Sequence, residues 1–380
     1  MEQKDLSLHL ENRRSQLREA KEKGTKIVGY FPGNYIPEEI VYASGAVPIC
    51  LSSVSSQHAN AALDEVPDII CPFARAQIGQ RLLKTDEYYS MIDMLIAPVT
   101  CVHIKKTAEI WEYHGDIEIF KLGVPHQNDT DFGLEYYIGR LRVLKDRLQD
   151  LTGNTITDKK LSEAIDLYNR TRELLSNIAL LRRASHPPIT ATDFIKLNHA
   201  SFCADPAFYV DTLSVVYRQL KAKQPSGNTD GPRLLLIGPN ISHGDYSIIE
   251  LVESAGGSIV AEEIFEGMRC YSQNIENNGD LMRSLAIGYL RDRIPSALIT
   301  NSAETRFKYA MKLIKDYNIN GVIWYQLANC EVYDAESYFF SKRMNEFNIP
   351  MIVLESDYGT TGLGQLRLRI EALIEQIKEA

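Results

Sequence analysis

Apolar residues in this chain fall into short unbroken runs separated by longer stretches of helical periodicity. KIVGYF from Lys26, VPICLSS from Val47, MLIAPVT from Met94 and EIFKLGV from Glu118 are runs of this kind. Short apolar runs bounded by turn residues read as strands covered on both faces, and their alternation with helical patterns predicts a parallel sheet with crossover helices. Between the first two runs, IPEEIVYASGA reads as a short helix opened by Pro37 and closed by Gly45. A charged helix ending near Gly24 comes before them. From Phe132 the period changes to long amphipathic helices, EYYIGRLRVLKDRLQDL and DKKLSEAIDLYNRTRELLSNIALLRRA, with TGNTIT as the turn between them. A further helix through LNHASF is expected, capped by Thr192 or Asp193, and KQPSGNTDGP reads as a linker. Strand-like runs return at RLLLIGPN from Arg233, then SIVAEEI, GVIWYQL and PMIVLES, spaced by helices such as YSIIELVESAGG and AETRFKYAMKLIKDY.

The chain thus repeats an architecture without repeating a sequence. The predicted organisation is an N-terminal α/β domain over residues 1–131, a helical segment with linker over 132–230, and a C-terminal α/β domain over 231–380. A total of 380 residues exceeds what one core usually serves, which agrees with two α/β units. A crevice between such units is the default place for a ligand.

Composition narrows the function classes. Apolar content of 44% and charged content of 24% are those of a soluble globular protein. The net charge of −9 argues against binding a phosphate backbone, so no nucleic-acid partner is expected. MEQKDLSLHLENRRSQLREAKEKG has no apolar h-region and no eighteen apolar residues run together anywhere, so a cytoplasmic protein without a membrane partner is expected. GPNISHGD, after the run at Leu234, has neither the dinucleotide nor the P-loop glycine spacing, and the eight dispersed histidines show no H-E-x-x-H zinc pattern.

The cysteines are the most informative chemistry. Cys71 in VPDIICPFARAQIG, Cys101 in MLIAPVTCVHIKK and Cys330 in GVIWYQLANCEVYDAE each sit where a predicted strand gives way to a helix. Strand carboxyl ends of open α/β sheets are where ligands bind, so these thiols can meet although far apart in sequence. Each is either a metal ligand or a small buried hydrophobe. Cys50 reads as core inside VPICLSS, and Cys203 and Cys270 have no shared strand-end context. His103 and His126 follow first-domain strands and are candidates to move a proton near the crevice. Glu38 and Glu39 open a helix, where a carboxylate complements the dipole without any catalytic role. Glu355, Asp357 and Tyr358 end the last strand before the GTTGLGQ loop, and Arg367 and Arg369 follow on a helix as either ligand groups or a solvated face.

KIVGYFPGNYIPEEIVYASGAVPICL, IICPFARAQIG, PVTCVHIKKTAEIWE, LGVPHQNDTDFGLEYYIGRL, GVIWYQLANCEVYDAESYFF and VLESDYGTTGLGQLRLRIEAL occur in this order over nearly the whole chain. Together they resemble the 2-hydroxyacyl-CoA dehydratase and benzoyl-CoA reductase family. The resemblance implies a catalytic-component subunit with two Rossmann-like, doubly wound α/β domains and a helical segment, holding a [4Fe–4S] cluster on Cys71, Cys101 and Cys330. It also implies a separate ATP-hydrolysing iron–sulfur activator that delivers one electron to the thioester carbonyl of a 2-hydroxyacyl-CoA. The ketyl radical anion then loses the hydroxyl group to leave an enoyl-CoA. Either His126, the catalytic residue expected beside this cluster, or a cluster-bound hydroxide handles the proton. The partner subunit is a paralogue or a second copy. Val102 and Glu331 follow the second and third cysteines where many relatives carry aspartate, which leaves the substrate class open. TDEYYSM and LLLIGPN lack the extra cysteines of double-cubane relatives, so a single four-iron cluster is expected. The alternatives within this resemblance are a reductase using the same cluster on another acyl-CoA or a small molecule, and a non-catalytic partner subunit.

Overall fold

The computed structural model describes residues 3–115, 117–223, 231–265, 267–360 and 362–379. All eight apolar runs form strands: β1 Ile27–Tyr30, β2 Val47–Cys50, β3 Met94–Val99, β4 Glu118–Gly123, β5 Arg233–Ile237, β6 Ser258–Glu263, β7 Gly321–Leu327 and β8 Met351–Ser356. They make two four-stranded sheets, ordered β2-β1-β3-β4 and β6-β5-β7-β8. Every pairing is parallel. Burial explains why the runs are continuous: all seven residues of β7 are buried, whereas the outer strands β4 and β8 are only partly buried, with Phe120, Leu122 and Leu354 in and Glu118 and Glu355 out. The fold is two doubly wound α/β halves with flanking helices.

The halves share core. One apolar cluster joins Ile27, Leu95 and Trp111 of the first half to Leu234 and Ile323 of the second. The long helices Asp131–Thr152 and Asp158–Leu181 cover the outer face of the first sheet, where Leu141 and Ile165 meet Val28 and Ile96 in a cluster that also takes in Leu285 and Tyr289. The linker KQPSGNTDGP falls mainly on 224–230, outside the described residues.

Local chemistry departs from the sequence reading at two places. The helix Ala191–Ala200 is capped by Thr190, whose hydroxyl accepts the Asp193 N–H, whereas Thr192 and Asp193 lie inside the helix. Thr192 instead donates to Glu253 at 2.8 Å, so its hydroxyl is engaged elsewhere. The segment before Cys71 is a turn, not a strand. Ile69 and Ile70 stand between Pro67 and Pro72, too short a run for a ladder, and Ile69 is 64% exposed. Asn329 donates to the Asp68 carbonyl at 3.1 Å and so ties this turn to the loop that carries Cys330.

Candidate functional site

In each sheet the strand order reverses between two central strands, β1 and β3 in one and β5 and β7 in the other. The loops beyond the carboxyl ends of those strands face one another, and such switch points are where open α/β sheets bind ligands. Between them lies a cavity of about 350 Å³. Its walls take Gly33 and Asn34 after β1, Cys101 after β3, Asn240 after β5 and Cys330 after β7, with Cys71 as the third thiol.

Each of the three cysteines is the N-cap of a helix: Cys71 of Pro72–Leu83, Cys101 of Val102–His114 and Cys330 of Glu331–Glu346. A helix N-terminus presents unpaired N–H groups and positive dipole ends, which favour thiolate over thiol. The sulfur of Cys101 accepts the Ile104 N–H at 3.4 Å. A hydrogen bond from the Cys330 thiol, together with His103 and the N–H groups of Ala74 and Phe73, overcomes burial and pulls the Cys71 thiol down to about 5. The same bond pushes the Cys330 thiol up, and burial adds to it. The shared bond thus holds the Cys71 thiol down and the Cys330 thiol up. Burial pushes the Cys101 thiol up, opposed by the Ile104 N–H.

Packing holds the three helix ends in place. The Trp111 indole donates to the Gln77 carbonyl at 2.9 Å, joining the Cys101 helix to the Cys71 helix, and its ring meets Phe31 edge-on at 5.5 Å. At Gly79 a Cβ would lie 1.8 Å from the His58 carbonyl oxygen, so only glycine lets the Cys71 helix sit this close to its neighbour. On the other side Arg269, which lines the cavity, donates to Tyr333 on the Cys330 helix at 2.9 Å. Arg269 and Arg306 are locked to Glu263 at 3.1 and 2.7 Å, and Arg306 also meets Glu336.

The structure sorts the candidates of the sequence. Cys71, Cys101 and Cys330 come together, and His103 joins them: its Nδ1 accepts the Cys71 N–H at 3.3 Å, and its contact with Cys71 raises its pKa. His126 lies exposed on the loop after β4, outside the residues that line the cavity, with its carbonyl accepting the Thr300 N–H at 2.8 Å. Glu355 accepts from Gln326 at 3.3 Å, Asp357 from the Gly359 N–H at 2.8 Å, and Tyr358 shares a hydrogen bond with Ser242, so these three serve the end of β8. Arg367 pairs with Glu371 on a solvated face, and Arg369 is exposed. Cys50 is buried core.

Sequence reasoning missed the buried charges. Glu39 is fully buried and takes Arg172 and the Tyr289 hydroxyl, the latter at 2.8 Å. Glu38 accepts from Tyr30, and burial pushes its carboxyl up to about 7. The one available signal was a Glu-Glu pair opening an otherwise apolar short helix.

Two α/β halves meeting at their switch points, with three helix-capping thiols in the shared cavity, define a thiol-centred two-half α/β protein. The family model described as 2-hydroxyglutaryl-CoA dehydratase, D-component, matches residues 34–377. The chain belongs to that family. It is 27% identical to YjiM of Escherichia coli, a candidate dehydratase subunit by its name, over 94% of this chain and 93% of that one. It is 23% identical to one of the subunits of benzoyl-CoA reductase from Thauera aromatica, over 93% and 91% of the two chains. Identity to the beta subunit of (R)-2-hydroxyglutaryl-CoA dehydratase from Acidaminococcus fermentans is 21% over 96% of each.

Proposed function

We propose that this chain is the cluster-bearing subunit of a 2-hydroxyacyl-CoA dehydratase, with Cys71, Cys101 and Cys330 as ligands of a [4Fe–4S] cluster. The observation that carries this reading is the convergence of three helix N-caps, each a cysteine, on one cavity. The donor set suits such a group: three sulfurs, each capping a helix N-terminus, and no fourth cysteine among the lining residues. Among the described residues no three His, Cys, Asp or Glu side chains stand close enough to hold a single metal ion. A cluster asks less, because each thiolate takes its own iron and the sulfurs need not share one coordination shell. Bound there, the cluster would supply a single electron to a thioester carbonyl, chemistry that side chains do not provide.

The protein's own part is positioning and exclusion of water. Phe73, Ile104, Phe265 and Val332 give the cavity apolar walls, while Asn34 and Asn240 offer polar contacts to a substrate oxygen. His103, at the cavity wall, is the side chain suited to hold or release the proton of the elimination, in preference to His126, which is not among the lining residues. An ATP-hydrolysing iron–sulfur activator delivers the electron. The beta-subunit name of the Acidaminococcus relative supports assembly with a partner subunit, either a paralogue or a second copy. Among the described residues no helix is long and apolar enough to cross a membrane, and a cytoplasmic site of action fits this chemistry.

A second reading, reduction of another acyl thioester, draws support from the 23% identity to the Thauera reductase. The test is anaerobic turnover of the assembled, activator-reduced complex over a panel of acyl-CoA esters, followed by mass spectrometry. Loss of water from a 2-hydroxyacyl-CoA supports the dehydratase. Two-electron reduction of a thioester without elimination replaces it with the reductase.

A further inference from the structure

A second, smaller cavity of about 90 Å³ adjoins the cysteine cavity, and Gly33, Asn34 and Phe265 line both. The helix Glu38–Ala43 opens beside it with two adjacent glutamates that are held in different ways. Glu39 is fully buried and meets Arg172 and the Tyr289 hydroxyl, so its charge is neutralised in place. Glu38 accepts one hydrogen bond, from Tyr30, and among the described residues it forms no ion pair. It keeps part of its surface accessible, and the residue lines the small cavity.

A carboxyl group placed in this way can change its charge where its neighbour cannot, because a neutral Glu39 would strand the buried Arg172. The groups that face Glu38 are Tyr30 on β1, Glu39 on its own helix, Tyr168 and Arg172 on the helix Asp158–Leu181, and Arg293 after Tyr289. Burial raises its pKa to about 7 and Glu39 adds to the rise, against the Tyr30 hydrogen bond and the two arginines. Both charge states are therefore within reach at neutral pH. The cavity equals roughly three waters by their share of liquid volume, and Asn34, Thr171, Asn198 and Ser201 give it polar walls, so water fits and can carry a proton to the carboxyl group. An electron entering the cysteine cavity places negative charge beyond the shared wall. In a low-dielectric interior, a nearby negative charge favours the neutral form of a carboxyl group.

We infer that Glu38 is a redox-linked proton acceptor, which takes up one proton as an electron enters the cysteine cavity and releases it as the electron leaves. The electron comes from the activator and the proton from solvent through the small cavity, so the charge gained on one side of the wall is offset on the other. Glu38 is not among the residues lining the cysteine cavity, and it acts on the electron through the shared wall as a positioning residue. The inference rests on the cluster reading above and is the same for the dehydratase and the reductase.

The test is an anaerobic redox titration of the cluster-loaded protein, with any partner subunit it requires, joined to redox-difference infrared spectroscopy. At a fixed potential the reduced-to-oxidised ratio is expected to fall as pH rises above about 7, by up to about tenfold per pH unit, the limit for one proton coupled to one electron. Reduction at neutral pH is expected to raise the carbonyl band of a protonated carboxyl group. His103 touches Cys71 and can add to the slope, but an imidazole gives no such band, so the band assigns the group. Glu38→Gln keeps an acceptor for Tyr30, and it should load the same iron, lose the band and flatten the slope. Glu38→Asp retains a carboxyl group and should keep a band, shifted in frequency. A loaded, reduced, unaltered protein without the band overturns the inference, and so does a band or slope undiminished in Glu38→Gln; each leaves the cluster reading intact. An unaltered protein that loads no cluster removes that reading and the inference with it.

Discussion

In the N-terminal half, the connection from β2 to β3 carries Cys71 at the head of a helix that opens on the cavity. In the C-terminal half, the matching connection from β6 to β7 carries Arg269, 2% exposed and held by Glu263 and by the Pro239 carbonyl at 3.0 Å. After the third strand of each half the positions agree, with Cys101 following β3 and Cys330 following β7. One scaffold thus makes two uses of equivalent loops. Where a helix N-terminus meets the cavity the first half presents a sulfur, and at the same cavity wall the second half presents a buried cation already neutralised. On the proposed function the first use is chemistry and the second is support, and the two respond differently to substitution.

Removing the support is expected to have the largest effect on stability. Glu263→Ala leaves Arg269 and Arg306 without their shared carboxylate, and breaking a buried pair by one partner costs about 3–5 kcal/mol. Urea unfolding measures it. A loss below about 1 kcal/mol would mean that the two arginines are not held as described.

Glu38 sharpens the comparison from the side of the first half. Its folded pKa, about 7, is raised above its ordinary value of 4.5 by burial, so the folded state holds the proton more tightly. Its contribution is fully present below pH 4.5 and is lost as pH rises through 7, by about 3 kcal/mol on the scale of one pKa unit per 1.36 kcal/mol. Glu38→Gln should remove this part of the pH dependence. Unfolding midpoints at pH 5 and pH 8 that shift equally in both proteins would contradict it.

Thiol reactivity reports on the chemical use of the loops. In the cluster-free protein Cys71 should alkylate faster than Cys330 at pH 7, since hydrogen bonds hold its thiol down while burial and the shared bond push that of Cys330 up. His103→Ala should slow Cys71 by several-fold, because a partner that stabilises the thiolate is gone. Peptide mapping after brief iodoacetamide treatment reads both rates. The smallest effect is expected at Glu331, exposed beside Cys330, where Glu331→Gln should change stability by no more than about 0.5 kcal/mol.

Much of the fold was legible because parallel strands buried on both faces are largely apolar, as the inner strands β1, β3, β5 and β7 are. Cys101 and Cys330 were legible for the same reason, since each directly follows such a run. Cys71 was grouped with the two cysteines that line the same cavity, but by the wrong local structure: a proline-bounded turn, not a strand, delivers it to its helix. The buried charges were not legible. Glu39 and Arg172 are 133 positions apart, and Arg293 reaches Asn34 across 259, so no local pattern marks either contact. His126 shows the converse limit, because a residue on a loop after a strand need not line the cavity.

The central claim is that the three helix-capping cysteines hold one iron–sulfur cluster. Iron and sulfide analysis of the anaerobically purified protein tests it most directly, with each cysteine replaced in turn. About four irons per chain are expected, on the stoichiometry of a [4Fe–4S] site. Cys71→Ala, Cys101→Ala and Cys330→Ala should each lose most of that iron, while Cys50→Ala, Cys203→Ala and Cys270→Ala should retain it. Full iron in any of the first three variants, or none in the unaltered protein, would contradict the account.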